Sequence, residues 1–146
     1  MTLKIVFMGT SEFSVPTLDA LIKNKFNVVR AYAQFPKRSK RGQKVNPSPI
    51  EEFCKKNKVN FNNPSNLNSE EEFKVFKKLS PDIVIVVAYG QIIPKIFLDT
   101  VKFGFINIHA SLLPKWRGAA PIQRAIMNRD KKIGVSIMKI EEKLDS

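Results

Sequence analysis

Strand-like and helix-like hydrophobic patterns alternate along this chain, which predicts an α/β fold built on a doubly wound, mostly parallel sheet. Three observations carry that expectation. Apolar runs of strand length are separated by stretches with apolar residues at helical spacing. One run, "DIVIVVA", is apolar on both faces, as a parallel strand covered on both sides must be. The junctions also carry helix-start signals, such as Ser48 followed by Pro49. No internal repeat and no domain-sized linker interrupts the alternation, so one domain is expected.

The first strand is expected from Leu3 to Met8, ending at Gly9 and Thr10. Val15, Leu18, Leu21 and Ile22 then recur at helical spacing. Asn27 to Ala33 reads as the second strand, and the polar, basic stretch "QFPKRSKRGQKVNPSP" follows it. Ser48 caps a helix that has Pro49 first and acids in its first turn. Ile50, Phe53 and Cys54 share its apolar face, which makes Cys54 a core residue rather than a reactive thiol. Val59 to Phe61 is a short strand, and Glu70 to Leu79 is a helix with Phe73, Phe76 and Leu79 inward. After "DIVIVVA" come a short helix at Pro94 to Leu98 and a strand at Phe103 to His109. A helix at Ala119 to Met127 and a last strand at Lys132 to Ile140 complete the pattern.

Composition narrows the function. Hydrophobic residues make up 43% and charged residues 26%, a soluble globular mix. No apolar run is long enough to cross a bilayer, and the apolar start is too short for a secretory signal. With one Cys and one His, neither a disulfide framework nor a protein-borne metal site is expected, and a reducing cytoplasm suits the chain. The first turn, "GTSEFS", holds one glycine where a dinucleotide fingerprint needs three, so no nicotinamide cofactor is expected. The net charge of +12 fits a polyanionic partner, although a general Lys and Asn bias would give the same excess. Lys37, Arg38, Lys40, Arg41 and Lys44, with no acid among them, are the more specific signal.

Ligands of open parallel sheets bind beyond the carboxyl ends of the strands. That rule gathers Gly9 to Ser14, the basic loop, Ala88 to Ile93 and the loop opened by His109 on one rim. In "FINIHA", Ile106 and Ile108 share one face while Asn107 and His109 share the other, about 7 Å apart. Polar groups there depart from the apolar pattern of a buried strand, unless both merely tie down the next loop. Asp145 lies just past a strand expected to end on the same rim, where it either orients the imidazole or sits solvated at the surface. Without a Ser or Cys nucleophile, such a set suits direct acyl transfer from a carrier to an amine. The Asn amide donates to an oxygen gaining negative charge, the His takes the amine proton, and the Asp stabilises the imidazolium. "SLLP" offers backbone polar groups and leucines fit for a flat heterocycle, and Trp116 reads as core or pocket wall.

"NIHASLLPKWRGAAPIQRAI" resembles the signature of the folate-dependent formyltransferases: Asn-x-His, then Ser-Leu-Leu-Pro, then a distant Asp. "WRGAAPIQ", "MGTSEF", "RGQKVNPSPI" and "VVAYGQIIP" are similar to the branch of that family that acts on methionyl-tRNA. The match runs from about Leu3 to the last residue. It implies a Rossmann-like formyltransferase core and formyl transfer from 10-formyltetrahydrofolate to the α-amine of initiator methionyl-tRNA, a step of translation initiation. It also implies Asn107, His109 and Asp145 as catalytic residues. Ser111, Leu112, Leu113 and Pro114, with Tyr89, Gly90, Gln91 and Ile92, would hold the folate. Phe13 would touch the methionine side chain, and the five cations from Lys37 to Lys44 the tRNA. No metal and no membrane is implied, a monomer is expected, and the setting is the cytoplasm of a bacterial-type cell or an organelle. The chain departs from the family at Gln34-Phe35-Pro36, where Gln-Pro-Asp is usual.

Rival readings share parts of this pattern. An enzyme that formylates a nucleotide-linked amino sugar would keep the Asn, His and Asp but need a nucleotide and no basic loop. Formyl-folate hydrolases and the purine transformylase fit the flanks less well. A non-catalytic RNA-binding module would want aromatic platforms that are missing. The family continues past the position of Ser146 to finish its first domain and add a β-rich tRNA-binding domain. Residues 1–146 are therefore expected to be an incomplete catalytic domain. Little or no formyl transfer to charged tRNA is predicted for these residues alone, and turnover near that of a longer relative would contradict it.

Overall fold

The computed structural model describes residues 2–36, 46–110 and 135–140, and in it the chain enters its sheet in the interior. Strand β1 (Lys4–Gly9) is flanked by β2 (Asn27–Tyr32) and β4 (Ile83–Val87), both parallel to it. Outside them lie β3 (Phe61–Asn62), parallel to β2, and β5 (Phe105–Ala110), parallel to β4. The last strand, β6 (Val135–Ile140), pairs antiparallel with β5. The six-stranded order is β3-β2-β1-β4-β5-β6, so the chain runs outward to one edge and then returns to the other side of β1. The reversal between β1 and β4 is the topological switch point, where open sheets leave a crevice at their carboxyl rim.

A 3₁₀ turn at Glu12–Ser14 leads into α1 (Val15–Lys23). Helix α2 (Pro49–Asn57) starts as its sequence directs: the Ser48 oxygen accepts from the Glu51 amide at 3.2 Å, and Pro49 needs no amide partner. Helix α3 (Glu70–Leu79) is capped by Ser69, whose oxygen accepts from the Glu72 amide at 3.3 Å. Each cap is worth about 1 kcal/mol. In both helices the first turn is acidic and the last basic, which favours the helix dipole. Helix α4 (Lys95–Leu98) is a single turn.

The sheet separates two apolar layers. On one face Phe7, Leu18, Ala31, Ala33, Ile50, Cys54 and Val87 pack under α1 and α2. On the other, Phe76 of α3 is the centre of an aromatic cluster, with ring centroids 4.8 Å from Phe97 and 5.9 Å from Phe105. The alternation along β5 follows from this. Phe105 enters the aromatic layer, and Ile108 packs against the α1 and α2 layer.

Two expectations need correcting. The short third strand forms at Phe61–Asn62 rather than from Val59. The last strand does not end on the rim where β5 ends: Val135 lies opposite Ala110, and Ile140 lies opposite Phe105 at the start of β5. Apolar patterning gives a strand its faces but not its direction, which depends on the connection before it. The helix expected at Ala119 to Met127 lies outside the described residues.

Cys54 is fully buried, as its place on the apolar face of α2 foretells. Burial, and secondarily the Glu51 carboxylate, push its thiol up to about 11. Thiolate is the reactive form, so a disulfide-exchange reagent at pH 8 is predicted to modify Cys54 only on unfolding. Rapid modification of the folded chain would show that the core opens there.

Candidate functional site

The carboxyl rim is assembled around the end of β1. Gly9 stands where a side chain would collide: a Cβ there would lie 2.7 Å from the Ser14 Cβ and 2.8 Å from the Phe7 ring. Ser14 is fully buried, and its hydroxyl donates to the Val87 carbonyl at the end of β4. The lone glycine of the first turn thus admits the chain's own helix entry.

The next residue, Thr10, ties three segments together. Its amide donates to the Ala88 carbonyl at 3.2 Å. Its hydroxyl donates to the Tyr89 carbonyl at 2.7 Å and accepts from the Gln34 amide at 3.0 Å. Ala88 and Gly90 both adopt positive φ, 49° and 90°. A Cβ on Gly90 would lie 2.8 Å from the Gln34 side-chain oxygen, so the backbone of one loop abuts the side chain of another.

Past Gly90, the Gln91 amide nitrogen donates to the Pro64 carbonyl at 2.9 Å. Its amide oxygen is buried with no partner among the described residues, as is the hydroxyl of Tyr89. Burial, then the neighbouring Tyr32 and the Glu72 carboxylate, hold the Tyr89 phenol well above its ordinary value. Tyr32 is pushed up to about 12 by burial and Glu72, against a lowering by Arg30. Both phenols therefore remain neutral hydrogen-bonding groups at pH 7. Ile92 is 72% exposed, an apolar side chain left open beside this polar turn.

Asn107 is half-buried in β5, in register with Val86 of β4 and Met138 of β6. Val86 belongs to the aromatic layer, so Asn107 opens toward the α3 and α4 face. The backbone of His109 pairs with Ser136 at the rim, while its side chain lies outside the described residues. Also outside them are Ser111, Leu112, Leu113, Pro114 and Asp145, together with Lys37, Arg38, Lys40, Arg41 and Lys44. Phe13 is half-buried against the α1 and α2 layer and lines an open groove of about 1070 Å³ with Val15, Pro49 and Phe53. The structure therefore brings Tyr89 to Ile92 together on the rim beside Thr10 and sets Phe13 on the other face of the sheet from Asn107. Sequence reasoning set Thr10 and Gln34 on the rim but gave neither a role, because the only signal is a polar residue directly after each of two apolar strand ends.

With this geometry in hand, the family can be read. A family model described as formyl transferase matches residues 3–146. The chain belongs to the formyl transferase family. A methionyl-tRNA formyltransferase of Pelagibacter ubique is 56% identical over 147 residues, covering 100% of this chain and 47% of that protein. One of Coxiella burnetii is 47% identical over 146 residues, covering 100% of this chain and 46% of that protein. The chain thus spans about half the length of these curated relatives. Among solved structures, a phosphoribosylglycinamide formyltransferase from Bacillus halodurans has a TM-score of 0.61 at 20% identity, covering 98% of this chain and 74% of that one. A formyltetrahydrofolate deformylase from Pseudomonas syringae has a TM-score of 0.63 at 19% identity, covering 99% and 48%. These last two likenesses concern the fold, and the formyl transferase fold is the one described above.

In this member of the family, the close seat of Ser14 on Gly9 predicts a stability cost. Gly9→Ala is expected to lower unfolding free energy by about 1–3 kcal/mol through overpacking, read from urea denaturation. An unchanged midpoint would mean that Ser14 is not held against β1.

Proposed function

We propose that residues 1–146 form the catalytic part of an enzyme that moves a formyl group from 10-formyltetrahydrofolate to the α-amine of methionine on initiator tRNA. The observation that carries this reading is a half-buried amide, Asn107, placed near the carboxyl end of β5 in a chain 56% identical to a methionyl-tRNA formyltransferase. The donor supplies an activated formyl carbon when bound. The turn at Tyr89 to Ile92 fits its heterocycle: a buried amide oxygen on Gln91 without a described partner can accept from ring N–H groups, and exposed Ile92 offers an apolar face. Ser111, Leu112, Leu113 and Pro114 complete that wall in this reading.

The chain's own groups then share the work. The Asn107 amide donates to the formyl oxygen as negative charge grows there, a contact that strengthens toward the transition state. His109 accepts the proton lost by the attacking amine. Asp145 holds the imidazole and stabilises its charged form. The amine needs little activation, because its ester lowers its pKa below the roughly 8 of a free α-amino group. Phe13 lies against the methionine side chain, and the cations from Lys37 to Lys44 contact tRNA phosphates with salt-dependent affinity. The remaining half of such an enzyme adds a β-rich tRNA-binding domain, and the whole acts as a monomer in the cytoplasm.

The test uses the complete polypeptide that carries this chain, assayed with methionyl-tRNA and with a nucleotide-linked amino sugar as rival acceptors. Asn107→Ala is expected to lower kcat for tRNA formylation about 100- to 1,000-fold while the donor KM changes little. Retained kcat, or formylation of the sugar alone, would overturn the reading.

A further inference from the structure

We propose that Thr10 is a positioning residue whose hydroxyl couples the turn at Tyr89 to Ile92 to the strand exit at Gln34, so that donor binding at the first is felt at the second. This rests on the reading of Tyr89 to Ile92 as the folate side.

A hydroxyl has one proton to donate and lone pairs to accept with. Thr10 donates that proton to the Tyr89 carbonyl at 2.7 Å and uses a lone pair for the Gln34 amide at 3.0 Å. The two segments thus share one oxygen, and among the described residues no backbone–backbone hydrogen bond joins them directly. A second contact runs in parallel, since the Gly90 backbone abuts the Gln34 side-chain oxygen. The turn itself is held in a sparsely populated shape: Ala88, with a side chain, sits at φ 49°, and its carbonyl accepts from the Thr10 amide. Removing the hydroxyl frees a carbonyl and an amide on two different segments at once, at the switch point of the sheet. The sequence adds a reason for such a link: Gln34 stands three residues before Lys37, the first cation of the basic stretch. Coupling of this kind is reciprocal, so whatever binds beyond Gln34 is expected to change donor affinity by the same factor.

The experiment again uses the complete polypeptide, with 5-formyltetrahydrofolate as a stable donor analogue. Thr10→Val keeps the shape and loses the hydroxyl, and Thr10→Ser keeps the hydroxyl. Thr10→Val is expected to weaken analogue binding by about tenfold, the scale of one lost hydrogen-bond network, with kcat at saturating donor retained. Thr10→Ser is expected to bind as the unmutated protein does. In the unmutated protein, the analogue is expected to slow amide exchange at Gln34, a readout that survives even if Thr10→Val fails to fold. Wild-type affinity in Thr10→Val, equal losses in Thr10→Val and Thr10→Ser, or unchanged exchange at Gln34 would overturn the proposal. Analogue binding without tRNA formylation would instead sink the functional reading while leaving the Gln34 result to decide this one. No analogue binding at all would overturn both.

Discussion

The hydroxyl of Thr10 is the point on which the rim depends. It meets the ends of β1, β2 and β4 in one place, joining residues 24 and 79 positions away in sequence. Beside it, the missing side chain of Gly9 lets Ser14 seat against β1 and donate to β4, so the first helix is locked to the sheet at its entry. Loops at a switch point have no regular ladder to hold them. Here a few polar groups at strand ends supply that order, and the turn at Ala88 to Gly90 keeps its positive φ values under their constraint.

Below the rim, packing decides which way the chemistry faces. The aromatic layer around Phe76 takes Phe105 from β5, and the opposite layer takes Ile108. Alternation then commits Asn107 to the α3 and α4 side, the face that also holds Phe105 and Val86. A half-buried amide in a largely apolar strand is costly unless it is bonded, and in the proposed function the formyl oxygen is the group it bonds. Tyr89 and Gln91 likewise carry buried polar atoms without a partner among the described residues, and burial raises the Tyr89 phenol.

Much of this was legible in the sequence because local physics fixed it. Ser48 with Pro49 announces a helix start, and the structure shows that cap made. The periodicity of "VPTLDALIK" and the double-sided apolarity of "DIVIVVA" locate α1 and β4. The site was legible only in part. Asn107 could be placed because strand alternation is a local rule. The Thr10 bridge could not, since nothing near Thr10 names a partner 79 residues away. The direction of β6 was hidden for a similar reason: "VSIMKI" has the same two faces whichever way it runs. The two-residue β3 was misplaced because a strand that short carries almost no pattern.

The central claim is that the end of β5 and the turn after β4 form one formyl-transferring site. A crystal structure of the complete polypeptide with 5-formyltetrahydrofolate tests it most directly. The heterocycle is expected against Tyr89 to Ile92, with the formyl oxygen about 3 Å from the Asn107 amide nitrogen. A heterocycle bound elsewhere, or an Asn107 turned away from the formyl group, would contradict it.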